Sequence, residues 1–301
     1  MKQRIIINTD AKNEADDQFA IVHALLSPSL DIRGIIPAHF GARRSTTSML
    51  DSRAEVDLLV ELLGMTGKVT IANGAAQAIA DEHTPADSEG AQLIIRECRK
   101  PGRLSIIFLG PLTDMATALL LDPTIATNSD LTVVWVGGDP YDSVNAMGLG
   151  YEYNLSNDVH AANVVLQSGV QVQQIPWTVY SLVNVGYAEL EERVAPYGPI
   201  GQYLVRQLKD LHRAEEAWET EVHTLGDSPA VGVVLRPSGA RWRHHIVHHF
   251  EEPGRMTTRA VPHRTVAVAD FVDVRFLLED MYAKIKAHHA KTAHNDTTSL
   301  R

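Results

Sequence analysis

The stretch Asn8-Thr9-Asp10-Ala11-Lys12-Asn13-Glu14-Ala15-Asp16-Asp17 places three aspartates and a glutamate side by side in the chain. Carboxylates this close repel one another unless a cation sits among them. A hard divalent ion with oxygen ligands, most simply calcium, would relieve that repulsion. The plainer reading is that Asp16 and Asp17 cap a helix and complement its dipole. Capping accounts for one or two acids in a first turn and leaves Asp10 unexplained.

Such a loop does chemistry only if its neighbours hold it. Residues 4–8 read as a buried strand and 17–26 as a helix, which puts the acids at the carboxyl end of a strand. The same rhythm continues along the chain. Strands are expected over 30–37, 68–72, 104–109, 131–136 and 170–175, and helices over 51–63, 91–99, 111–121 and 160–168. This alternation predicts an α/β fold with an open, mostly parallel, Rossmann-like sheet and helices on both faces. Ligands in such sheets sit at the carboxyl ends of the strands. Residues 188–221 are helical and charge-rich, as in a cap. Residues 241–250 and 259–268 suggest an antiparallel hairpin, and 272–286 a closing helix. A polar, frayed end is expected from His288, so the chain divides into one domain over 1–290 and a tail over 291–301.

Composition narrows the function. The 301 residues carry 27 Lys+Arg against 37 Asp+Glu, a net charge of −10. An acidic chain without a long basic run is a poor nucleic-acid or anionic-membrane binder. One cysteine, Cys98, excludes an internal disulfide and fits a reducing compartment. The apolar N-terminal run is too short for a signal segment, and no run reaches the length of a membrane span. A cytoplasmic protein handling a small molecule is the expectation.

Several further motifs occur in order. They are Phe108-Leu109-Gly110-Pro111-Leu112-Thr113-Asp114, Val136-Gly137-Gly138, Tyr151-Glu152-Tyr153-Asn154 with Asn157-Asp158 and Ala161-Ala162, and Gly226-Asp227-Ser228-Pro229. With the acidic loop, these resemble the inosine–uridine nucleoside hydrolase family. The resemblance implies calcium held by Asp10, Asp17, Asp227 and the main-chain carbonyl of Thr113. It implies Asp10 as general base on water. Asp16 would bind a ribose hydroxyl, with Asn13, Asn145, Glu152 and Asn154 around the sugar. A homodimer or homotetramer is the implied assembly. Cleavage of an N-glycosidic bond passes through an oxocarbenium-like sugar, which carboxylates stabilise.

The chain also departs from that pattern. Asn8 stands where the family has its first Asp, and two extra residues precede Asp16. Gly226 replaces a histidine that can protonate a leaving base. His39 is a candidate to replace a lost contact, or else a histidine at a strand end. His83 and His223 are further candidates, more simply surface residues. Trp177 could stack on the substrate or merely pack. The cluster His244, His245, His248 and His249 suggests a hairpin surface before it suggests zinc. The reading is calcium-dependent hydrolysis of a ribonucleoside or related N-riboside. Two alternatives stand beside it: a calcium-dependent sugar binder without turnover, and a hydrolase of a non-nucleoside glycoside.

Overall fold

The computed structural model describes residues 2–138, 151–214 and 221–299. In chain order the elements are β1 (Gln3–Thr9), α1 (Asp17–Leu25), β2 (Leu30–Pro37), α2 (Ser48–Leu62), α3 (Glu89–Cys98), β3 (Leu104–Phe108), α4 (Thr113–Leu121), β4 (Leu131–Val136), α5 (Tyr153–Asn157), α6 (Val159–Gln167) and β5 (Gln171–Ile175). There follow α7 (Trp177–Tyr180), β6 (Asn184–Gly186), α8 (Tyr187–Arg193), α9 (Gly198–Ala214), β7 (Val222–Thr224), α10 (Ser228–Leu235), β8 (Ala240–Glu251), β9 (Arg255–Val272) and α11 (Val274–Ser299).

Seven strands form one sheet in the order β2-β1-β3-β4-β5-β9-β8. All neighbours are parallel except β8 on β9. Period-2 alternation divides each central strand between two cores. Ile5 and Ile7 of β1 face one core, with α1, α2, α9, α10 and α11. Ile6 faces the other, with α3, α4 and α6. The α/β sheet with helices on both faces is therefore as the sequence predicted.

Three details differ. Residues 68–72 form only an isolated bridge, Ile35 to Ile71. The segment bonds Ile35 through Thr70 and Ala72, and then Gly74 donates to the Pro37 carbonyl. Pro37 has no N–H to return, so the ladder ends. The expected cap, α9, packs on α2 and reaches the acidic loop, where Gln207 Nε2 donates to the Ala15 carbonyl at 2.7 Å. The polar residues expected as a frayed tail instead continue α11 to Ser299. Alanines 287, 290 and 293 favour that extension.

Candidate active site

Strand β1 ends at Thr9, and the next residue, Asp10, is 2% exposed. The loop from Asp10 to Asp16 is pinned from several sides. Asn13 N–H donates to the Asp10 carbonyl at 2.9 Å, and Arg44 Nη1 donates to the Asn13 carbonyl and to its Oδ1. Lys12 Nζ pairs with the buried Glu55 at 2.9 Å. Ala15 takes φ 81°, a left-handed conformation that costs a non-glycine residue energy and persists only where surroundings fix it.

Helix N-termini deliver most of the other acids. Asp16 is the N-cap of α1, and its carboxylate accepts from Asp17 N–H at 3.1 Å and Asp227 N–H at 3.2 Å. Asp227 is the N-cap of α10, yet its side chain caps nothing. Glu152 is the N-cap of α5, accepting from Asn154 and Leu155 N–H. The positive ends of three helices thus face these carboxylates. Asn154 Nδ2 donates to the carbonyls of Leu109 and Val136, which ties α5 to the ends of β3 and β4.

One pocket gathers Asp10, Asn13, Asp16, Asp17, Glu152, Asn154 and Asp227. Carboxylate oxygens of Asp16, Asp17 and Asp227 lie within 4.8 Å of one another. Asp10 Oδ2 is buried and has no hydrogen-bond partner. Burial first, and then the neighbouring carboxylates, push the carboxyls of Asp10, Asp16 and Asp227 well up. Burial raises Asp17 to about 6, against the opposing hydrogen bond from Thr9. Oxygen donors this crowded, with one oxygen left unpaired, fit a hard divalent cation. Gly110 lets them crowd, since a Cβ there would sit 2.8 Å from Asp10 Oδ1.

Other expected residues lie elsewhere. Thr113 and His39 are not among the residues lining this pocket. His39 Nε2 donates to Thr113 Oγ at 2.8 Å, and Thr113 Oγ donates to Asp158 Oδ2 at 2.7 Å. Burial lowers His39 to about 4, so it is a neutral strand-end histidine. It borders a second, larger cleft with Arg43, Gln77 and Asn157. Near this point it is Leu109, at the end of β3, that lines the acidic pocket.

Trp177 opens the single turn of α7, half-buried and away from the pocket, and Tyr180 at the other end of that turn lines it instead. Tyr180 Oη donates to Glu152 Oε1 at 2.9 Å. The signal for Tyr180 was the strand-end segment itself, read at its first residue. His223 bonds His212 at 3.0 Å, and His83 is on the surface side of its loop. In the hairpin, His249 bonds Glu82 and His248 bonds the Thr257 carbonyl. Among the described residues the one group arranged to hold a metal is the aspartate triad. Asn145 lies outside the described residues.

Asn8, a departure from the expected pattern, has Asp114 as its partner. Asn8 Nδ2 donates to Asp114 Oδ2 at 2.9 Å. An amide and a carboxylate share one buried hydrogen bond here, outside the pocket wall. Asp114 also accepts from Ala75 N–H and Ser88 Oγ–H.

Comparison with known proteins agrees with this geometry. Over 264 residues the chain is 27% identical to "Probable uridine nucleosidase 2" of Arabidopsis thaliana, covering 79% of each protein. It is 26% identical over 253 residues to the pyrimidine-specific ribonucleoside hydrolase RihA of Salmonella newport, covering 74% of this chain and 76% of RihA. Among solved structures, a plant nucleoside hydrolase superposes with a TM-score of 0.77 at 21% identity, covering 95% of this chain and all of the other. A purine-preferring ribonucleoside hydrolase from Gardnerella vaginalis gives the same TM-score and identity, covering 95% and 99%. The family model for inosine-uridine preferring nucleoside hydrolase matches residues 5–282, and the chain belongs to that family.

Proposed function

We propose that the protein hydrolyses the N-glycosidic bond of a ribonucleoside or related N-riboside in a calcium-dependent reaction, releasing ribose. The observation that carries this reading is Asp10. It is a buried carboxylate with an unpaired oxygen, at the carboxyl end of β1 in a pocket shared with three further aspartates.

Asp10, Asp17 and Asp227 are the side chains we assign to the ion. Asp16, in the same triad, is close enough to share it. For the main-chain ligand, the carbonyl of Leu109 fits better than that of Thr113, because Leu109 lines the pocket. When bound, calcium supplies positive charge that offsets the carboxylates and favours loss of a proton from nearby water. Asp10 takes that proton, a role worth about 10²–10⁴-fold in rate. Asp16, Glu152 and Asn154 hold the sugar hydroxyls, and the carboxylates stabilise positive charge developing on the ring. Residues 1–290 act as one domain in this reading. The active form is a homodimer or homotetramer, and the place of action is the cytoplasm, in nucleoside salvage.

A reducing-sugar assay against purine and pyrimidine nucleosides, with calcium or with a chelator, tests the proposal. Ribose release that needs calcium and is lost in Asp10→Ala supports it. Release unaffected by Asp10→Ala and Asp227→Ala would overturn the site assignment.

A further inference from the structure

Glu152 lines the pocket, yet its hydrogen-bonding capacity is already used. An ionised carboxylate offers about four lone-pair sites. Glu152 Oε2 accepts from Gly138 N–H at 2.7 Å and from Leu155 N–H at 2.8 Å. Its Oε1 accepts from Asn154 N–H at 3.2 Å and from Tyr180 Oη at 2.9 Å. The bonds from Asn154 and Leu155 are the N-cap of α5, so they belong to the helix. Only Tyr180 brings a side-chain donor, and it comes from a different element.

Tyr180 is the reverse case. A phenol gives one proton and can also accept. Glu152 takes the proton, and among the described residues Tyr180 Oη receives no hydrogen bond in return. Donation to a charged acceptor polarises the hydroxyl, which makes its oxygen a better acceptor. Tyr180 lines the same pocket as Glu152.

The backbone fixes where this phenol stands. Tyr180 N–H donates to the Pro176 carbonyl at 3.1 Å, and the Tyr180 carbonyl accepts from Val183 N–H at 3.1 Å. The ring edge then packs on Gly226. A Cβ at position 226 would lie 3.0 Å from Tyr180 Cδ2 and 3.2 Å from Asp16 Oδ2. Any side chain there would wedge between the tyrosine and the aspartate. Glycine lets both come close, so Tyr180 and Asp16 share one side of the pocket.

We infer that Tyr180 is a further sugar-binding residue, whose phenol oxygen accepts a hydrogen bond from one ribose hydroxyl while Glu152 holds the phenol proton. This deepens the hydrolytic reading above and rests on it, because the part given there to Glu152 is played through Tyr180. No proton changes hands in this contact. It favours a hydroxyl, which donates, over a hydrogen or a methoxy group on the same carbon, which does not. A sugar lacking that hydroxyl leaves the polarised oxygen facing no partner, so the pair selects for ribosides that carry it.

Calorimetric titration of the calcium-loaded protein tests this. The ligands are 1,4-anhydroribitol, a ribose ring without a leaving group, and its monodeoxy forms, each lacking one hydroxyl. The proteins are the parent and Tyr180→Phe, which keeps the ring and loses only the phenol oxygen. Anhydroribitol should bind Tyr180→Phe about tenfold more weakly than the parent. The cost of deleting one particular hydroxyl should also be about tenfold smaller in Tyr180→Phe, and the cost of deleting the others should be unchanged. Equal weakening of every ligand in Tyr180→Phe would overturn the inference, because the residue would then act through shape alone. Unchanged affinities would overturn it too. Ribose release from uridine and inosine is measured beside the titrations. Coupling to one hydroxyl without ribose release overturns the hydrolytic reading and leaves the sugar contact standing. Ribose release without coupling does the reverse.

Discussion

Two groups of buried carboxylates in this protein have opposite surroundings. Asp114 is saturated by Asn8, Ala75 N–H and Ser88. Asp158 accepts from Thr113 and from the N–H groups of Ile79 and Ala161, and Glu55 accepts from Lys12, Gln18 and Tyr203. These acids are finished structures. The aspartates at the end of β1 lean on one another instead, and Asp10 Oδ2 has no donor. A buried charge without partners is costly. The contrast shows where the fold has left work for a cation and where it has not.

The strongest way to break the comparison is to delete one acid from each group. Asp10→Ala should lower ribose release by about 10²–10⁴-fold. In chelator the same variant should unfold at a temperature no lower than the parent, because it loses a repelling charge. Marked destabilisation in chelator would mean that Asp10 was already satisfied.

The saturated group should answer differently. Asn8→Asp places two carboxylates face to face in the core and should cost about 3 kcal/mol in denaturant unfolding. Adding Asp114→Asn restores an amide–carboxylate bond with the roles reversed and should recover most of that loss. Additive losses in the double variant would show that the two side chains do not act as a pair.

Proton linkage separates the groups by pH. Asp17 sits at about 6 in the folded chain against an ordinary 3.8, so the folded state holds the proton more tightly than the unfolded chain. The stability this group contributes is present below about pH 4 and is lost as pH rises through about 6. Asp10, Asp16 and Asp227 shift in the same direction. The calcium-induced rise in Tm should therefore grow between about pH 4 and about pH 7, and a rise independent of pH would contradict the linkage. The smallest effect is expected at Lys12, which is half-exposed. Lys12→Ala should cost about 0.5 kcal/mol, because Gln18 and Tyr203 still serve Glu55. A loss several times larger would move Glu55 into the group that needs a cation.

Much of this was legible in the sequence because periodicity and strand-end placement are local properties. The run 4–8, the helix after Asp17 and the later acids at Glu152 and Asp227 could be ordered along a sheet without knowing any distance. The misreadings arose where the outcome depends on contacts remote in sequence. Thr113 faces His39 and Asp158 because α4 begins there, which places Leu109 nearer the pocket. Trp177 and Tyr180 share one turn, and only packing against Gly226 and Glu152 decides which of them lines the site. Asn8 could be read only as a departure from the family pattern, because its partner Asp114 lies 106 residues away.

The hydrogen bond from Asp227 N–H to Asp16 joins residues 211 positions apart. During synthesis the first half of the site is made long before the residue that completes it. A growing chain therefore carries an open, mutually repelling cluster of acids through most of its translation, with loop closure across nearly the whole domain still to come. In the proposed reading, a chain that ends before α10 lacks one of the acids assigned to the ion.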